Sequence, residues 1–107
     1  MIRVHKDMRG NWKAESNFDL ADGRSLEITT HKVSSGQLVT TAIVGKNEGA
    51  FFSYMMYQDF SKRLSVSKPS RITSKVVDEQ QCLAVKQLGD LKVEIAAYYA
   101  AKEVETV

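Results

Sequence analysis

The chain has a single cysteine, Cys82, which excludes an internal disulfide and fits a reducing compartment. Its single proline, Pro69, leaves nearly all of the backbone free for hydrogen-bonded ladders and marks the one point where a ladder has to stop. No apolar run approaches the ~20 residues that cross a bilayer; the longest is the Ala-rich run that ends at Ala101. The first thirteen residues, MIRVHKDMRGNWK, hold no apolar h-region, so no secretory signal and a cytoplasmic location are expected. Chemical signatures are equally sparse. There is no G-x-G-x-x-G, no G-K-S/T loop and no G-x-S-x-G. His5, His31 and Cys82 lack the close pair spacings of metal sites, so no metal is expected. Cys82 with either histidine would form a nucleophile and base pair only if the tertiary structure joined them. The acids are scattered and suggest no general acid/base pair. These absences point to a non-enzymatic protein without a cofactor.

What is present is ordinary in amount and uneven in placement. A hydrophobic content of 43% with 26% charged residues is that of a folded soluble protein, and 107 residues suffice for one domain that buries roughly two-thirds of its unfolded surface. The net charge of +2 hides a strong asymmetry. Residues 1–59 carry seven basic and seven acidic side chains, residues 60–77 five basic and none acidic, and residues 78–107 three basic and six acidic.

Hydrophobic periodicity sets the expected elements. Trp12, Ala14, Ser16, Phe18 and Leu20 alternate with Lys13, Glu15, Asn17 and Asp19, as in a half-buried strand. Ala21-Asp22-Gly23-Arg24 follows as a tight turn. A second strand over 25–33 sets Leu26, Ile28 and Thr30 against Glu27, Thr29 and His31, and Ser34-Ser35-Gly36 closes it. The third, over 37–44, is apolar on both faces, with Leu38, Ala42 and Val44 on one and Val39 and Ile43 on the other. A fourth is expected from about Ala50, again two-faced, with a helix as the competing reading; residues 61–68 either prolong it through Leu64 and Val66 or form a loop.

From Ser74 to Val104 the period changes to that of a helix, with Val77, Gln81, Ala84, Leu88, Leu91, Ile95 and Tyr98 on one side and only Gln81 polar among them. Ser70, Thr73 and Ser74 are candidate N-caps. Gly89 is a weak point, and a break there into helix plus strand is the main alternative. The expected fold is α+β: a four-stranded antiparallel β-meander over about 12–66, followed by a long C-terminal α-helix over about 74–104 packed on one face. This layout is similar to that of the positive-cofactor-type transcriptional coactivators and the Whirly proteins. The similarity is of element order, carried by no motif of this chain, and it implies oligomers that bind single-stranded DNA.

Two sets of residues stand out as candidate sites. Lys62, Arg63, Lys68, Arg71 and Lys75 form a basic segment, interleaved with Ser and Thr and free of acids, suited to phosphates or another anionic partner. The plainer alternative is a solvated connection balanced by the acidic helix. Val39, Ile43, Phe51, Met55 and Tyr57 form an apolar set on the strand face away from the helix, suited to a homodimer interface, a protein partner or stacked bases. The N-terminal Ile2 and Val4 folding over that face would be the alternative. The expected function is a small binding module, a homodimer, that engages nucleic acid or another anionic partner. The competing function is a protein-binding or inhibitor module of the kind a phage or mobile element encodes, docking on a host protein.

Overall fold

The computed structural model describes residues 2–21, 23–46 and 58–105. Five strands, β1 (Arg3–Lys6), β2 (Trp12–Asp19), β3 (Arg24–Lys32), β4 (Leu38–Lys46) and β5 (Gln58–Ser67), pair antiparallel in the order β1-β2-β3-β4-β5. Two helices follow, α1 (Ser74–Val85) and α2 (Leu88–Glu105). The class is α+β, with one strand and one helix more among the described residues than the sequence suggested. The extra strand is β1, paired through Val4 with Ala14 and His5 with Lys13. At four residues it is too short for periodicity to reveal. Ile2 and Val4 therefore do not fold over the far face of the sheet. They pack on the helix side, beside Ala14, Leu38 and Val77.

The expected alternation holds along β2 to β4. Ala14, Ser16, Leu26, Ile28, Thr30, Leu38, Thr40, Ala42 and Val44 are buried toward the helices. Residues 58–67 are strand, which decides the question for 61–67; residues 50–57 lie outside the described residues. β5 carries a bulge where its register against β4 slips between Thr40 and Thr41, so that Leu64 and Ser65 share the helix side.

The single long helix becomes two because the ladder tightens at residues 86–87. The Gln87 amide donates to the Ala84 carbonyl at 3.0 Å, a three-residue step, before Leu91 N–H returns to the four-residue step onto Gln87 at 3.0 Å. Gly89 lies just after this joint, inside α2, and no strand begins there. Seven residues separate Ala84 from Leu91, two full turns, so the buried stripe crosses the joint: Val77, Gln81 and Ala84 on α1, then Leu91, Ile95 and Tyr99 on α2.

The N-cap is Thr73, extended at φ −116° and ψ 167°, whose hydroxyl accepts from Val76 N–H at 3.2 Å. Thr73→Ala should cost about 1 kcal/mol in urea unfolding, and Ser70→Ala, outside the cap, should cost nothing measurable.

The seam between α1 and the sheet is polar at its centre. Gln81, fully buried, donates to Ser16 Oγ at 3.0 Å and the Ile28 carbonyl at 2.8 Å, and its oxygen accepts from Thr30 Oγ1 at 2.6 Å. Thr30 has spent its one proton, so the 2.7 Å contact with Thr40 Oγ1 is donated by Thr40. Gln80 Nε2 in turn donates to Thr40 Oγ1 and the Leu38 carbonyl, both at 3.1 Å, and Ser67 Oγ donates to Gln80 Oε1 at 2.5 Å. Every member of this chain has a partner, and that is the condition for burying it.

Candidate anion-binding end of the sheet

An antiparallel meander sends alternate connections to opposite ends of the sheet. The β1–β2 turn, the β3–β4 turn and the β5–α1 connector therefore share one end. Both turns are built the same way. Asp7 N–H donates to the Asn11 carbonyl and Gly10 N–H to the Asp7 carbonyl, at 2.9 and 3.0 Å. Val33 N–H donates to Gln37 and Gly36 N–H to Val33, both at 2.9 Å. Gly10 and Gly36 close them at φ 79° and 87°, a conformation that costs any other residue. The connector, straightened at Pro69, crosses above both turns to start α1, and Ile72 and Val76 pack beside Trp12. Between the three segments lies an open cleft of about 360 Å³ lined by residues that include Asn11, Trp12, Lys32, Pro69 and Ser70.

This end is basic. Lys6, Arg9, Lys32, Lys68, Arg71 and Lys75 are all exposed on it, and Lys6 lies over the Trp12 ring at 5.1 Å. Among the described residues, Arg9, Lys32, Lys68 and Arg71 make no ion pair, and Lys75 makes only a loose one, 4.0 Å from Glu79 across one helical turn. The acid among them, Asp7, is turned inward. Its Oδ1 accepts from the Arg9 and Asn11 amides at 2.9 and 3.0 Å, and the Asn11 amide foremost holds its carboxyl below the usual range. The α1 N-terminus opens here too, adding the positive end of its dipole.

The basic segment expected from sequence is thus divided. Lys68, Arg71 and Lys75 lie at this end, together with Lys6, Arg9 and Lys32, which sequence reasoning passed over. Lys62 lies on the helix side of β5, held 2.7 Å from Glu94. Arg63 lies on the opposite face, across from Thr41. At about 3.3 Å of strand per residue, Lys62 is roughly 20 Å from Lys68.

The apolar set is divided as well. Val39 is on the sheet face away from the helices but only 2% exposed, with His31 and Val66 as its cross-strand neighbours. Ile43 is half-buried on that face. Phe51, Met55 and Tyr57 lie outside the described residues. Elsewhere on that face, Glu15 lies 3.2 Å from His5 Nε2, 3.4 Å from Arg3 and 3.9 Å from Lys13.

His31 follows Lys13 in the same cross-strand row. Its Nδ1 is buried without a partner among the described residues, and burial first, then Lys13, push its pKa below 6.5. Below pH 6.5 the unfolded chain takes up a proton at this ring that the folded chain resists, so stability is lost as pH falls from 6.5 toward the lower folded value. His31→Gln should flatten that part of the decline between about pH 7 and 5 when urea midpoints are compared.

Among the described residues no three His, Cys, Asp or Glu side chains converge as metal ligands, and no helix is long and apolar enough to cross a membrane. Comparison with protein-family models, curated proteins and solved structures gives no match.

Proposed function

We propose that this protein is a small non-enzymatic binding module that takes an anionic polymer, nucleic acid first, on the loop end of its sheet. The observation that carries this reading is the convergence of six exposed cations from three segments, with Asp7 turned into its own turn and Glu79 meeting only Lys75, loosely. Charge of one sign, left unpaired at a concave end, attracts polyanions, and phosphates released of their counterions supply the affinity. Main-chain and hydroxyl donors at Ser70 and the α1 N-terminus supplement the side chains. Lys62 and Arg63, assigned to the same site from sequence, lie outside it.

The test is fluorescence anisotropy with labelled single-stranded and duplex oligonucleotides over a salt series. Binding at about 50 mM salt should weaken along a straight line in log affinity against log salt, with a slope near −3 for four phosphate contacts on a single strand. Absence of binding at that salt, to either probe, would rule the reading out.

A further inference from the structure

We propose that β5 is the pairing edge of a homodimer, joining a second copy of itself in antiparallel register about a two-fold axis between Leu64 and Ser65. This does not rest on the anionic-polymer reading. Among the described residues no strand lies outside β5, and its ten residues make it by far the longer edge of the sheet, against four for β1. Long unpaired edges invite another strand. Beside this one runs an apolar groove of about 460 Å³ between β5 and α1, with Leu64 in its wall and Leu83 62% exposed, while Val66 leaves 42% of its surface exposed on the other face of the same edge.

The bulge selects the occupant. In an ordinary strand the faces alternate throughout, and a residue pairs only with one on its own face. In β5 the bulge makes Lys62, Leu64, Ser65 and Ser67 point to the helix side and Arg63 and Val66 to the other. Read from either end, 62 to 67 gives the same order of faces. A regular strand keeps phase along it only by slipping one residue at the bulge, as β4 does on the inner side. A second β5, run antiparallel, matches at every position, with Lys62 opposite Ser67, Arg63 opposite Val66 and Leu64 opposite Ser65.

Charge agrees with that register. Glu79 lines the groove beside Ser67, so Lys62 of each copy, while bound to its own Glu94, comes to face the partner's Glu79 on α1. Leu83 of the two α1 helices closes the groove from both sides, and the sheet becomes one of ten strands with all helices on one face.

The experiment is light scattering on the nuclease-treated full chain and its variants. The wild type should show twice the 12.0 kDa chain mass at about 0.1 mM. Val66→Lys, which sets a cation against the partner's Arg63, should raise the dimer Kd about tenfold or more. Adding Arg63→Glu to it should restore the dimer, while Val93→Lys, on the exposed face of α2, should change nothing. A monomeric wild type would overturn the proposal. So would a dimer indifferent to Val66→Lys, or a double variant that stays monomeric. Circular dichroism of each variant separates loss of pairing from loss of fold. The oligonucleotide titration, run on the monomeric Val66→Lys variant, keeps the two proposals apart, because it reads the loop end alone.

Discussion

Gln81→Ala is expected to destabilise the protein by about 3–4 kcal/mol, the largest effect of any substitution outside the apolar core. Two losses combine. Removing the amide leaves Ser16 Oγ, Thr30 Oγ1 and the Ile28 carbonyl buried with a partner gone, and each such group costs about 1–3 kcal/mol if nothing replaces it. The space left in a fully buried site adds a cavity term. Thr30 keeps the hydrogen bond it accepts from Thr40, so only its own proton is left without an acceptor and the total stays below the sum. Gln81→Met keeps most of the volume and should cost about 2 kcal/mol, which isolates the polar part. Gln80→Ala, at a half-buried position where water reaches the freed groups, should cost about 1 kcal/mol. Urea unfolding of the three variants reads the order directly. A Gln81→Ala cost below about 1 kcal/mol would mean that the seam gains nothing from its polar chain.

The second large effect concerns binding. Replacing Lys32, Lys68 and Arg71 together by Gln should weaken oligonucleotide binding by about two orders of magnitude near 100 mM salt and make the salt slope shallower by about 2. These three come from two different segments and make no ion pair among the described residues, so removing them leaves no stranded partner and should leave the unfolding midpoint in place. Lys62→Gln with Arg63→Gln removes two charges from the same stretch of sequence. It should leave binding within about threefold of the wild type, because neither side chain reaches the loop end. If the double variant instead falls as far as the triple, the contact surface runs along β5 and the loop end is not the site.

The same contrast explains how much of the molecule was legible in its residues. Strand alternation identified the buried faces of β2, β3 and β4, because a period of two forces every second side chain to one side of a sheet. The stripe from Val77 to Ile95 was readable for the same reason at the helical period, and only its last aromatic moved, from Tyr98 to Tyr99. The end-to-end grouping of cations was partly readable too. In a meander, turns alternate ends, so Lys32 before the 33–37 turn and Arg9 before Gly10 had to share an end with the segment after β5. Sequence proximity gathered Lys62 and Arg63 with Lys68 instead, although the strand between them separates the charges by its length and Arg63 faces the other way.

Composition and periodicity by themselves determined an α+β protein with an antiparallel meander, its buried faces, and an unbalanced basic stretch leading into an amphipathic helical segment. They act locally, and local patterns fix which way each side chain faces. Tertiary structure alone decided that Gln81, the one polar member of the apolar stripe, would be buried, because only there do Ser16, Thr30 and the Ile28 carbonyl from two strands converge to satisfy it. It alone decided that three distant segments form one basic end, and that a bulge at Leu64–Ser65 reverses the faces of β5. Each depends on pairing between residues far apart in the chain, and no pattern within a single segment records with what it will pair.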